Sequence, residues 1–261
     1  MRSVGRWLLW VLFAGLALQL FFVARIALML VIDPQSTAFM RSEAWRVAGQ
    51  SLGTDKAWRW SARWVDYDAI SPHLKRAVLA SEDAGFTTHG GVDWDAIESA
   101  RTRNQKRQEL AQKRAEQIEK RLGHKPEAAE AALKQVKPPK IAGGSTITQQ
   151  LAKNLLLSGE RTLLRKGQEL VLALLLEALL PKPRILAIYL NSVEWGEGIF
   201  GAEAAAQHYF KKPAAKLSAH EAARLAVMLP SPKFFETRQN SAYLARRTAT
   251  IVARMGDVSP P

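Results

Sequence analysis

The chain contains no cysteine. Disulfides, lipidated cysteine and thiolate zinc sites are therefore excluded, while the redox compartment stays open. Acidic residues are in short supply: 24 Asp and Glu stand against 37 Lys and Arg, a formal net charge of +13. An excess of this size suits an anionic partner, whether nucleic acid, an anionic membrane surface or a phosphorylated substrate. There is no Gly-x4-Gly-Lys-Ser/Thr, which excludes a nucleotide P-loop. No series of strand-like alternations stands out either, so an all-β or doubly wound architecture is not expected.

What is present first is a long apolar run. Trp7 to Val23 carries no charge and is apolar but for Gln19, Arg25 breaks the run, and Ile26 to Ile32 resumes it. About 26 residues are enough to cross a bilayer with some tilt, since about 20 suffice. Arg25 can snorkel towards headgroups from its place near one end. Arg2 and Arg6 precede the run and Asp33 closes it. This asymmetry predicts a cytoplasmic tail over 1–6, a transmembrane anchor over 7–32 and everything later outside. The competing reading is a cleaved signal peptide. The run is long for that, and it lacks a convincing small-x-small cleavage site.

Residues 33–70 read as a polar connector rich in tryptophan (Trp45, Trp58, Trp60 and Trp64). These suit either a membrane interface or packing on the domain, and both readings are open. Beyond them, apolar residues recur at three- and four-residue spacing in 74–80, 147–157, 163–180, 184–190 and 217–229, which predicts a mainly α domain over 71–255. The stretch 168–180 is apolar nearly all round, as in a central core helix. Residues 101–140 differ in composition, with 12 Lys or Arg against 5 Glu, a net +7 of the total. They read as a basic helical excursion with i,i+4 pairs Glu109/Lys113 and Glu116/Lys120, ended by Pro138 and Pro139. The excursion is either a solvated face or a face held against anionic headgroups.

Four segments carry candidate chemistry. In SEDAGFTTHGG (81–91), Glu82 and Asp83 end an apolar helical stretch before a Gly-containing turn. A carboxylate there can be partly desolvated and act as a base, although such pairs are more often solvated. His89 reads as a structural hydrogen-bonding histidine. In GGSTITQQLAKN (143–154), two glycines lead to Ser145 and Thr146 at a helix start. Unusual backbone angles, a hydroxyl cap and free N–H groups would favour an anion. Ser145, Gln149, Gln150, Lys153 and Asn154 add donors, and the first four fall along one helical side with Thr146. A capped, polar-faced helix fits these residues equally well. Arg161, Arg165 and Glu169 are spaced by four, which suits a diphosphate with a metal or, better from spacing alone, a salt-bridge ladder. ILAIYLNSVEWGEGIFGAEAAAQHYF (185–210), a helix, a Gly-rich turn and an Ala-rich helix, reads by itself as packing.

Taken together, these segments resemble the motifs of the peptidoglycan glycosyltransferases. Glu-Asp-x-x-Phe-x-x-His-x-Gly at 82–91, GGSTITQQLAKN, RKGQE at 165–169, ILAIYLN with AAAQHYF, and LSAHEAARLA at 217–226 stand in the family's order. The TAFM and WVDYDAISPHLKRAV stretches resemble the monofunctional branch.

The resemblance implies a mainly α, lysozyme-like glycosyltransferase domain with a membrane-facing lobe, preceded by one transmembrane helix. It implies an enzyme that polymerises lipid II into glycan strands, inverting the donor anomeric carbon and releasing polyprenyl diphosphate. Glu82 matches the catalytic base and Glu169 the second essential carboxylate, beside the diphosphate and any divalent cation (Mg2+ or Mn2+). Ser145, Thr146, Gln149, Gln150, Lys153, Asn154, Arg161, Arg165 and Lys166 match donor contacts or their supports. Asp83, Phe86, His89 and Asn191 match positions that hold the site together. The implied partners are lipid II, the growing strand, membrane lipids and other wall-synthesis or division proteins, with no nucleic acid. The implied location is the bacterial cytoplasmic membrane, with the catalytic domain on the periplasmic side.

Two features qualify the resemblance. The 101–140 excursion is longer and more basic than the family pattern. No Ser-x-x-Lys or Lys-Thr-Gly occurs, so no penicillin-binding transpeptidase activity is expected. The alternatives are a non-catalytic membrane-anchored scaffold and a lytic glycan-cleaving enzyme, and the latter would not need the 143–154 anion cradle.

Overall fold

The computed structural model describes residues 2–51, 59–122, 124, 126–135, 143–157 and 162–261. Arg161, Trp58 and the Pro138–Pro139 stop lie outside them. The described chain is mainly helical and forms two compact units, 1–92 with 146–261, and 93–145.

The first unit begins with α1 (Arg2–Leu28), of which Ser3–Leu28 is long and apolar enough to cross a membrane. Its early residues are exposed, but Phe22, Ile26 and the following Met29 are buried against the domain. This i, i+4, i+7 spacing lines one helical face. Residues 33–70 carry α2 (Ala38–Ser51), with Met40 buried, and the short strand β1 (Ser61–Ala62). Among the tryptophans, Trp45 is exposed, Trp60 meets Phe200 with the rings tilted by 42°, and Trp64 packs on the core.

Next come α3 (Pro72–Glu82), α6 (Ile147–Leu156), α7 (Leu163–Leu179) and α8 (Lys182–Ser192). Pro72 and Pro183 stand in the first turns of α3 and α8, where a missing N–H costs nothing. α3 packs on α10 (Ala219–Met228), α10 on α12 (Ala242–Arg254), and α6 on α7 and α8. Leu74, Val78, Leu151, Leu155, Leu172, Leu176, Ile185 and Tyr189 fill the space between them.

Two expectations change here. α7 is not a central helix: Leu172, Ala173 and Leu176 are buried, but Leu163, Leu164, Val171 and Leu174 are exposed. A small sheet also exists, in which β3 (Ile199–Phe200) lies between parallel β1 and antiparallel β2 (Glu194–Gly196). Strands of two or three residues leave no alternation for a sequence reading to detect. Gly201 holds φ +84°, and a Cβ there would lie 2.6 Å from the Asn191 carbonyl oxygen. α9 (Ala202–Phe210) follows, and the short α11 (Pro232–Glu236) packs on β2.

The second unit contains α4 (Trp94–Leu122) and α5 (Pro126–Gln135). α4 is polar over most of its surface, with Ala100 its one buried residue. Asp93 accepts the Ala96 N–H at 2.7 Å at its start, and Glu130 and Lys134 form an i,i+4 pair at 2.7 Å in α5. Gly144 belongs to this unit. A Cβ there would stand 3.0 Å from Ile97 Cα, so close approach explains the glycine rather than an unusual backbone angle.

Candidate active site

Glu82 is the last residue of α3, and it is half-buried. Its Oε2 accepts a hydrogen bond from Gln150 Nε2 at 3.2 Å, and its Oε1 one from Ser81 Oγ at 3.3 Å. Burial pushes the carboxyl above the ordinary carboxylate range, the neighbouring Asp83 charge adds to this, and the two donors oppose it. A carboxylate in this setting can accept a proton from a substrate hydroxyl.

Asp83 faces the other way, into the protein. Its Oδ2 accepts the Ile147 N–H at 2.9 Å, at the start of α6 where negative charge is favoured. Its Oδ1 lies 2.9 Å from His89 Nε2. His89 Nδ1 accepts the Gly91 N–H at 3.1 Å, so Nε2 carries the proton that Asp83 receives. Both ring nitrogens are thus engaged within the fold. Phe86 is fully buried, with the Lys182 ammonium 4.4 Å from its ring centre. Lys182 also donates to the His89 carbonyl at 2.7 Å and to Glu177 at 2.9 Å. The turn after Glu82 is therefore fastened to α6, α7 and α8.

The start of α6 is a capping box. Thr146 Oγ1 accepts the Gln149 N–H at 3.1 Å, and Gln149 Oε1 accepts the Thr146 N–H at 3.1 Å. Thr146 Oγ1 also donates to the Gly91 carbonyl at 2.6 Å. The N–H groups of Ile147 and Gln149 are thus occupied by Asp83 and Thr146. Two of the N–H groups at this helix start are therefore taken up inside the fold, as in the capped, polar-faced helix that the sequence also allowed. Further along, Gln150 and Asn154 are half-buried and Lys153 is exposed. Ser145, exposed, precedes the cap and belongs to the second unit.

A second cluster stands at the start of α7, where Thr162 accepts the Arg165 N–H at 3.1 Å. Glu169 is 4 % exposed. One oxygen is 3.3 Å from Arg165 and the other pairs with Lys166. Arg165 Nε is buried and has no hydrogen-bond partner among the described residues. The Arg165–Glu169 rung is one step of the ladder predicted from spacing, whose Arg161 lies outside the described residues, and Lys166 joins it one residue on. With both oxygens held by cations, Glu169 alone does not fit a resident divalent ion, which needs several oxygen ligands.

Asn191 is buried in α8. It donates to the Val65 and Ala187 carbonyls at 2.9 Å each and accepts the Val65 N–H at 3.0 Å, which ties the 61–70 segment to the core. Sequence reasoning missed Tyr189, two residues before it. This residue is fully buried, and its hydroxyl donates to Gln150 Oε1 at 3.0 Å. The only signal in the sequence was a phenol inside an apolar helix, which has to find a polar partner.

The fold thus joins a mainly helical domain to an apolar span and sets a half-buried carboxylate at one helix end and an Arg-Lys-Glu cluster on another helix. The Transglycosylase family profile matches residues 49–114 and 124–256, and the chain belongs to that family. It is 48% identical over 264 residues to the biosynthetic peptidoglycan transglycosylase of Burkholderia thailandensis, covering 100% of this chain and 90% of the relative. The proteins of the same name from Burkholderia pseudomallei and Burkholderia vietnamiensis are each 47% identical, covering 100% of this chain and 90% and 95% of their own lengths.

Proposed function

We propose that this protein is a monofunctional peptidoglycan glycosyltransferase that polymerises lipid II into glycan strands. The observation that carries this is the half-buried Glu82, held by two donors at a helix end within a chain similar throughout to the named relatives. Glu82 takes the proton from the acceptor sugar hydroxyl. The new bond forms from that oxygen to the donor anomeric carbon, which inverts. The carbon–oxygen bond to the diphosphate breaks, and its electron pair leaves with polyprenyl diphosphate. Lys153, Arg165 and Lys166 oppose the negative charge that grows on the leaving group. Arg161 matches the same role in the resemblance. Glu169 orients Arg165 and Lys166. A divalent cation, where used, would be held mainly by the diphosphate's own oxygens, because the Glu169 oxygens already serve two cations. The scaffold and lytic alternatives are not favoured by relatives named for biosynthesis.

Arg2 and Arg6 support a cytoplasmic N-terminus and an external catalytic domain. The length of α1 supports contact between the domain and lipid. The freely exposed stretch, residues 3–18, spans roughly 24 Å at about 1.5 Å per residue, less than a hydrocarbon core of about 30 Å. The next stretch, from Gln19 to Met29, lies against the domain, where the Gln19 and Gln168 side chains hydrogen-bond at 3.2 Å. The beginning of α7, with Leu163 93% and Leu164 86% exposed, therefore meets acyl chains.

The test is full-length protein with labelled lipid II in detergent, beside Glu82→Gln, resolved on a gel. A ladder from the wild type that is lost in a folded Glu82→Gln supports the reading. Equal turnover by that variant removes Glu82 from the base role.

A further inference from the structure

We propose that Tyr189 is a positioning residue for Glu82 that acts through Gln150: its hydroxyl fixes which way the Gln150 carboxamide faces, and so keeps an N–H donor on Glu82 Oε2. This rests on the reading of Glu82 as the base.

The geometry leaves one consistent assignment. An ionised carboxylate only accepts, so Gln150 must turn its NH2 towards Glu82, 3.2 Å away. Its oxygen then faces Tyr189, 3.0 Å away, and the phenol must donate. Turning the carboxamide over would change its shape little but would set its oxygen against the carboxylate. Among the described residues, the Tyr189 hydroxyl bonds Gln150 alone. Tyr189 is itself immobile, with its ring at 0% exposure in the core between α6 and α8. Burial, then the charges of Glu82 and Asp83, hold its phenol well above its ordinary value, so it stays a donor at any working pH. The relay thus runs from a locked phenol on α8, through an amide on α6, to a carboxylate at the end of α3. It occupies Oε2, so the incoming hydroxyl would meet Oε1, which accepts from Ser81 and has a second lone pair to offer.

The other groups around Glu82 do not replace this donor. Asp83 is a like charge whose oxygens are committed to Ile147 and His89. The packed helix α10 presents the Ala226 carbonyl to Ser81 at 3.5 Å. A donor on the charged form lowers a carboxyl pKa, and its loss raises it. A base works only when deprotonated, so a raised pKa moves the acid limb of the rate profile to higher pH.

The experiment is the pH profile of kcat/KM for full-length protein with lipid II, for wild type, Tyr189→Phe, Gln150→Leu and the double variant. Tyr189→Phe is expected to move the acid limb up by about half a pH unit or more, and Gln150→Leu by at least as much. The double variant is expected to match Gln150→Leu, because among the described residues the Tyr189 hydroxyl bonds Gln150 alone. A Tyr189→Phe variant that loses rate equally at every pH, with the limb unmoved, overturns the proposal in favour of simple packing. A double variant whose shift is the sum of the two singles overturns the route through Gln150. If Tyr189→Phe does not fold, an unmoved limb in Gln150→Leu overturns it alone. Activity retained in Glu82→Gln would instead remove the base reading, and the relay with it.

Discussion

At the scale of single residues, burial separates groups that look alike in the chain. Glu82 and Asp83 are neighbours, yet one keeps an oxygen towards the site and the other is consumed by Ile147 and His89. Glu194 is a third case. It is buried in β2, and burial pushes its carboxyl up to about 7, opposed by Lys233 and reinforced by Glu43. Folded, it keeps its proton to about pH 7, whereas a free glutamate loses it near 4.5. The folded state therefore binds more protons in this window, and the contribution of Glu194 to stability falls as pH rises through it. Glu194→Gln should raise stability above pH 7 by about 2 kcal/mol and change little near pH 4.5. Urea midpoints at both pH values check this, and an equal effect at both would contradict it.

At the scale of elements, α6 divides its work along its length. Its first turn is closed by the capping box and Asp83, so Thr146 and Gln149 hold the helix. Gln150 donates to Glu82, and Lys153, one turn on, is exposed. Lys153→Ala should lower kcat/KM for the lipid-linked donor roughly 10–100-fold, as expected for one charge-assisted contact, with thermal stability unchanged. Steady-state kinetics at varied donor concentration decide it, and unchanged kinetics would remove Lys153 from the donor site. Gln149→Ala differs in kind. It breaks the reciprocal cap, so a loss of about 1 kcal/mol in stability is expected from chemical denaturation.

At the scale of the whole molecule, α1 is both a candidate span and part of the core. Phe22, Ile26 and Met29 are buried with the domain, and Arg184 donates to the Met29 carbonyl at 2.6 Å and pairs with Asp33 at 2.7 Å. Truncation before residue 19 should leave the melting temperature of the detergent-solubilised domain nearly unchanged. Truncation through residue 30 removes three buried apolar side chains, at about 1.5–3 kcal/mol each, and should lower it by roughly 10 °C or more. Equal melting temperatures for the two truncations would mean that the contact contributes nothing.

The helical class, the apolar span and the family are legible in the chain alone, because these rest on periodicity, length and ordered motifs that survive without coordinates. The Arg165–Glu169 rung is legible there too, since i,i+4 neighbours meet wherever a helix forms. Which partner each polar group bonds to depends instead on how distant elements meet. The α6 start is capped from within because Asp83 arrives from another element, and α7 exposes half of its apolar surface because α1 and the core cover only part of it. Tyr189 reaches Glu82 through Gln150 because three helices distant in sequence converge there. Such contacts depend on residues 39 and 68 positions apart, and no local pattern encodes them.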